Sequence, residues 1–359
     1  MGIYPGEVTV PGGIRTVSVG SIAVGLLCAT ACSSSSDQGR QPPQNLPADC
    51  TRTITQTDQV GPALDAAAPG NTLCFTGGDL TDADLRMTRS GTAESPITLF
   101  SDGATVSGVQ VSADHVVLEG FTVTGGEGVL LSGTEITARH NTIHDTQRGG
   151  IACMPCTDST IAANTVQHVA TTGIYITGKR ITVSDNVVSE TFATDDGDAD
   201  GMRFFGTGHR ITGNTIRDIS DQGYRSPPHP DCFQTFDHNP PTYDVVISQN
   251  VCQNVGAQCL IATDDQPGDS GAPRGIPSIT FVGNTCAPNG SQAINLRHWP
   301  NVEIRQNKFS GPTLQRAILV ADGSTGCTVT GNTTSGGVPT LDVDGASRPG
   351  FRQTGNSPA

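Results

Sequence analysis

The sequence predicts an all-β chain wound as a parallel β-solenoid. Three observations predict it. An Asn recurs at positions 141, 164, 186, 214, 250, 284, 307 and 332, with gaps of 23, 22, 28, 36, 34, 23 and 25 residues. After each of the first seven, a further turn leads to a short apolar strand: GIACM, GIYIT, GMRFF, CFQTF, CLIAT, AINLR and AILVA. No interior stretch has the 3.6-residue periodicity of a helix, and a period in the low twenties belongs to stacked coils. Composition agrees: 15% charged residues, 4% aromatics and 44 glycines describe a turn-rich β chain.

The elements follow in chain order. Residues 17–31, VSVGSIAVGLLCATA, are apolar and uncharged behind Arg15. That length suits the h-region of an export signal rather than a membrane span. The run ends at Cys32, followed by SSSSDQGRQPPQNLP. This resembles a bacterial lipoprotein signal, which implies lipidation at Cys32 and an extracellular or cell-surface location. An ordinary cleaved secretory signal is the plainer alternative. The expected organisation is a signal over 1–31, a flexible tether over 32–48, the solenoid over 49–345 and a tail over 346–359. Export permits disulfides, and Cys50 and Cys74 are plausible partners at the start of the folded region. The CMPC of Cys153 and Cys156 has no second pair at ligand spacing, so zinc gains little from it. A net charge of −14 argues against a nucleic-acid partner. Membrane contact is expected only through the lipid anchor, and the chain is expected to act as a monomer.

Within the solenoid each Asn is assigned a turn that needs the left-handed backbone region, which Asn tolerates better than most residues. Coils stacked about 4.8 Å apart also let the Asn side chains hydrogen-bond into a ladder. Two residues after each of the first seven Asn residues come Ile143, Val166, Val188, Ile216, Cys252, Cys286 and Phe309, an inward stack. Cys252 and Cys286, and likewise Cys232 and Cys259 at one strand position on adjacent coils, read first as core cysteines and second as disulfides. Earlier, VVLEGFTVTGGEGVLLSG fits the template with Phe121 in the Asn place.

On these repeats the chain resembles the right-handed parallel β-helix superfamily of polysaccharide lyases, polygalacturonases and uronan epimerases, over residues 50–345. The resemblance implies a single-stranded right-handed β-helix of roughly 9–11 coils and does not select a reaction.

The repeat is broken in one region. Aligned on the inward residues Ile151, Ile174, Met202, Phe233, Leu260, Ile294 and Ile318, the counts from the preceding Asn are 10, 10, 16, 19, 10, 10 and 11. The counts to the next Asn are 13, 12, 12, 17, 24, 13 and 14. Two consecutive coils thus carry inserts before the strand, ETFATDDGDADG and RDISDQGYRSPPHPDC. Two carry inserts after it, FDHNPPTYD and TDDQPGDSGAPRGIP. Per-coil insertions on one face mark a working surface, and these are expected to wall a groove. Period two points Tyr175, Arg203, Phe205, Gln234, Phe236, Asn295 and Arg297 into it. Asp200 and Asp231 fall at equivalent places on adjacent coils. The inserts add Asp195, Asp196, Asp198, Tyr224, Arg225, His229, Asp237, His238, Asp264 and Asp265, and His298 and Trp299 follow Arg297.

Three chemistries compete for an expected polysaccharide partner. In the first, Asp196, Asp198, Asp200, Asp231, Asp264 and Asp265 hold Ca²⁺, a cation that takes many oxygen ligands. A base removes the proton beside a uronate carboxylate and the glycosidic oxygen leaves by β-elimination. DADG followed one coil later by PDCFQ is similar to stacked Asp-Gly motifs of calcium-dependent pectate lyases. The lysine base expected from them is missing, leaving His229, Tyr224 or an arginine, with Arg203 or Arg297 steering the carboxylate. Uronan epimerases share the first step, often with an Asp/His pair, which HPD contains. In the second, Asp200 and Asp231 are the acid and base of a glycoside hydrolase, although the NTD, GHG and RIK signatures of polygalacturonases are absent. In the third, the groove only binds glycan, with Phe205 and Phe236 stacked on sugar rings and Tyr175, Gln234, Arg225, His238, Asn295, Arg297 and His298 around them. Solvated acidic loops, and phenylalanines packed beneath them, are the bland counterpart. Elimination is favoured modestly over hydrolysis.

Overall fold

The structure, a computed structural model, describes residues 47, 49–194, 197–237, 241–266 and 271–358. Thirteen parallel strands, from Arg52–Gln56 to Arg352–Thr354, form one continuous sheet and define about twelve turns. Two further series of strands complete each coil. One runs Asp84–Met87, Thr105–Ser112, Thr122–Thr134, Ile151–Thr157, Thr172–Lys179, Asp200–Thr207, Phe233–Phe236, Leu260–Thr263, Gln292–Arg297, Arg316–Ala321 and Leu341–Val343, and is called here the long face. The other runs from Thr142–Thr146 to Ser357–Pro358. The expected inward anchors pair in unbroken register, Ile151–Ile174–Met202–Phe233–Leu260–Ile294–Ile318. All are buried in one core. Outward on the same face a second register line reads Arg86, Gln110, Leu130, Ala152, Tyr175, Arg203, Gln234, Ile261 and Asn295.

The coil count exceeds the expectation at both ends. The first coils carry no Asn at the marker position, so the repeat does not announce them. The segment expected as a tail forms a further turn, with Val329 opposite Gln353 and Thr333 opposite Ser357. A short helix α1 (Thr57–Asp65) was not anticipated. Gln59 caps it by accepting the Thr55 and Gln56 N–H groups. Its apolar Val60, Ala63 and Leu64 are buried in the same core as the first strands.

The Asn ladder is complete from Asn141 to Asn356. Asn141 Oδ1 accepts the Phe121 N–H, and from Asn164 on each Oδ1 accepts the backbone N–H and the Nδ2 of the Asn one coil earlier: Asn186 accepts from Asn164 at 2.9 Å twice, and Asn214 from Asn186 at 3.0 and 2.9 Å. Each Nδ2 also donates to a carbonyl of the preceding coil, as Asn214 does to Val183. The left-handed residue is not the Asn. It is the residue before it: His140, Ala163, Asp185, Gly213, Gln249, Gly283, Gln306 and Gly331 all have φ between 54° and 69°. The turn strain sits on one residue and the hydrogen-bonding duty on the next. Glycine at 213, 283 and 331 was the signal for it.

Four disulfides join described cysteines. Cys50–Cys74 is the expected pair. Cys153–Cys156 closes the CMPC motif on itself. Cys232–Cys252 and Cys259–Cys286 correct the reading of those four as plain core cysteines. They do not pair up the stack. Each bond crosses the coil interior, from the long face to the strand of the next series, because both cysteines point inward within one turn. Cys327 is buried and unpaired. Among the described residues no helix is long and apolar enough to cross a membrane.

Candidate active site

The first two inserts meet at the edge of the long face. The Asp198 carboxylate takes the His229 N–H at 2.8 Å and the Ala199 N–H at 3.0 Å, tying one insert to the other. Tyr224 Oη accepts the Ala193 N–H at 3.2 Å, a second tie. Asp200 and Asp231 do stack on adjacent coils, but neither has any exposed surface. Asp200 Oδ1 accepts the Asp231 N–H at 2.9 Å, and Asp231 Oδ1 accepts the Gln258 N–H at 2.7 Å. Their second oxygens hold two part-exposed groups, Arg203 and His229. Arg203 Nε donates to Asp200 Oδ2 at 2.6 Å, and His229 Nδ1 lies 3.0 Å from Asp231 Oδ2. Arg203 Nη2 also lies 3.5 Å from Asp198, and its guanidinium stands over the Phe236 ring at 5.9 Å.

His229 is thus an imidazole fixed through Nδ1 by a buried carboxylate, with 53% of its side chain in solvent. Nε2 is left for chemistry. The hydrogen bond to Asp231 raises its pKa to about 9. Burial pushes Asp231 up to about 6, against the pull of His229. Between those values the pair is imidazolium and carboxylate. Burial, then the Asp231 charge, pushes Asp200 well above the ordinary carboxylate range, and Arg203 opposes them. Tyr175 is raised by burial.

Several expected site residues are placed otherwise. Asp200 and Asp231, expected to face the groove as acid and base, are instead wholly buried, with no exposed surface. Phe205, outward by register, is only 5% exposed because the Tyr175 and Phe236 rings flank it at 5.5 and 5.0 Å. Phe236 is 42% exposed and remains available. Asn295 and Gln234 lie on the outward line with buried carbonyl oxygens that find no hydrogen-bond partner. Arg297 is paired with Asp322 at 2.5 Å. His298 Nδ1 is bonded to the Asp264 carbonyl at 2.7 Å. Trp299 is wholly buried in the core. Arg225 is exposed in the second insert. Asp195, Asp196 and His238 lie outside the described residues, as does Cys32.

The described donors do not fit Ca²⁺. Asp200 and Asp231 have no exposed surface, and each of their oxygens already faces a hydrogen-bond partner inside the wall, so they present no open carboxylate edge to an ion in the groove. Asp264 and Asp265 follow the strand, whereas Asp200 and Asp231 start it. Thr263 pairs with Phe236, which puts Asp264 level with Asp237, about 20 Å along the strand from Asp231. One cation cannot span that distance.

The C-terminal arm of the fourth insert, with Arg274 and Ile276, lines a cavity with Glu303 and Arg352 on the thirteen-stranded sheet. On the long face a cleft of about 360 Å³ opens on the N-terminal side of the dyad, lined by Arg203, Tyr175, Thr172, Met154, Arg148 and Glu127 among others. A second cavity of about 260 Å³ continues it toward Arg86, sharing Glu127 and Leu130. Apart from Arg203, the lining comes from coils without inserts, so the gap counts gave no sign of these cavities.

Fold and register define a right-handed parallel β-helix protein with an Asp–His dyad set on its long face. A family profile described as right handed beta helix region matches residues 100–226. No sequence among curated proteins matches the chain. Among solved structures it is similar to a point mutant of the tailspike protein of E. coli bacteriophage HK620 in complex with a pentasaccharide (12% identity, 84% of this chain and 62% of that one, TM-score 0.54). It is similar also to a GH136 lacto-N-biosidase from Eubacterium ramulus (12% identity, 81% and 62%, TM-score 0.53). An alginate lyase from Paenibacillus sp. is matched over 86% of this chain and 96% of its own at 18% identity, with a TM-score of 0.41. The chain spans about three fifths of the tailspike and of the biosidase. At these identities the likeness is one of fold.

Proposed function

We propose that the protein is an exported carbohydrate-active enzyme, a polysaccharide lyase that cleaves an acidic, uronate-containing glycan without a resident metal. The observation that carries this reading is His229, fixed at Nδ1 by buried Asp231 with about half of its side chain in solvent, together with an arginine held by Asp200 that lines the cleft. Arg203 meets the uronate carboxylate and stabilises charge that develops on it when the adjacent carbon loses its proton. His229, deprotonated above about pH 9, takes that proton at Nε2. The electron pair forms the carbon–carbon double bond, and the C–O bond to the next sugar breaks. Tyr224, whose oxygen accepts the Ala193 N–H, retains its own proton for the departing oxygen. Burial of Asp200 and Asp231 weighs against the hydrolase, which needs two carboxylates within reach of the bond.

Four disulfides among the described residues support an oxidising destination, in keeping with the proposed export signal and Cys32 anchor. The test is a panel of uronans and neutral glycans, with and without chelator. Ultraviolet-absorbing unsaturated products from a uronan, formed equally with chelator, are expected. Products heavier by one water select a hydrolase. Binding without turnover selects a glycan-binding protein.

A further inference from the structure

The strand Ile151–Thr157 carries one residue more than its neighbours. Cys153 stands opposite Leu131 and Ile176, and Cys156 opposite Gly133 and Gly178. Met154 and Pro155 therefore occupy the room that Ser132 has on one side and Thr177 on the other. The surplus is pushed outward as a bulge. Beneath it Cys153 and Cys156, 0% and 1% exposed, are joined. Above it Met154 stands 45% exposed, one of three large hydrophobics so placed among the described residues. It lines the cleft beside Tyr175 and Arg203. Its coil lies three before that of Phe233, so about 14 Å along the axis from the dyad.

We propose that this disulfide-closed bulge is a specificity element. Met154 is an apolar wall for a sugar ring of the bound glycan, with Tyr175 on the next coil, and the chain runs from His229 toward the N-terminal end of the solenoid. Thioether and ring present the apolar surface that the carbon-bound face of a sugar needs. The disulfide holds the bulge in register while the strands on either side stay flat. The ligand class rests on the reading above. The wall itself rests on register, exposure and the cleft.

The test is binding of oligosaccharide ladders, from disaccharide to hexasaccharide, in a uronate and a neutral series. It is read on the His229→Ala background so that nothing is cleaved. Met154→Ala is expected to weaken the hexasaccharide about tenfold, the scale of losing a buried Met contact, and the disaccharide less than twofold. Cys153→Ala/Cys156→Ala, which frees the bulge, should give the same length dependence. Equal effects at every length, or none, overturn the wall. If only neutral chains bind, and with this length dependence, the wall stands and the uronate reading falls. If neither series binds, both fall. Non-reducing peptide mapping is expected to find Cys153 linked to Cys156, and two free thiols there overturn the clamp.

Discussion

Asp231→Asn separates a charge-bearing dyad from a merely buried polar pair. The substitution keeps the shape and leaves an Oδ1 to accept the Gln258 N–H. It removes the charge whose hydrogen bond lifts His229 from 6.5 to about 9. It also turns the amide nitrogen toward Nδ1, so that the imidazole carries its hydrogen on Nε2, the wrong tautomer for a base. In a comparable carboxylate–imidazole system, such a tautomer error costs a factor on the order of 10⁴ in turnover. The full interval from 6.5 to about 9 is equivalent to about 3 kcal/mol at 1.36 kcal/mol per pKa unit. Because 53% of the His229 side chain is in water, screening reduces the pairing energy to about 1–2 kcal/mol. A group whose folded pKa is raised contributes stability below its unfolded pKa and loses it as pH climbs through the folded one. Wild type is therefore expected to lose that 1–2 kcal/mol between pH 6.5 and 9, and Asp231→Asn to lose none of it there. Denaturant titrations across that range, an NMR titration of the His229 ring and the pH–rate profile on a uronan are the assays. The wild-type rate should rise with pH toward an inflection near 9, and the variant's residual rate should inflect nearer 6.5. A His229 titration unmoved by Asp231→Asn, with turnover retained, refutes the dyad.

Two further outcomes follow from buried groups away from the site. His209 has no exposed surface, accepts the Ile181 N–H at Nδ1 (3.2 Å) and lies 3.0 Å from the Phe205 carbonyl through Nε2. Burial lowers its pKa to about 4, so its contribution is present above pH 6.5 and is lost as pH falls toward 4. About 3 kcal/mol should disappear over that window, and His209→Gln should flatten the acid limb in equilibrium unfolding. Asn214→Ala strips the Asn186 N–H and Nδ2 and the Val183 carbonyl of partners. It is expected to cost about 3–5 kcal/mol in chemical denaturation, against about 1 kcal/mol for Asn356→Ala at the part-buried end of the ladder.

The architecture was legible because one polar residue repeats where a coil needs a side-chain amide, and because apolar anchors recur in step with it. Every anchor aligned from those gaps is in register in the structure. The stacking of the two aspartates was legible, and their burial was not. Asp200 and Asp231 were found by counting two back from inward Met202 and Phe233. Two residues along a strand return to the same side, so the same period that pointed Arg203 outward already required those carboxylates to lie inward. The crosswise disulfides escaped because cysteines were compared between coils rather than across one. The cleft escaped because it is made by a one-residue bulge and by small side chains, neither of which alters the spacing of the asparagines.

The ladder has a direction. From Asn141 to Asn332, the backbone N–H of each ladder Asn is satisfied by the side chain of the coil that comes after it in the chain, never by the coil before. The seam is therefore polar along the axis: its amide donors all point toward the C-terminal end of the solenoid and its side-chain acceptors all toward the N-terminal end.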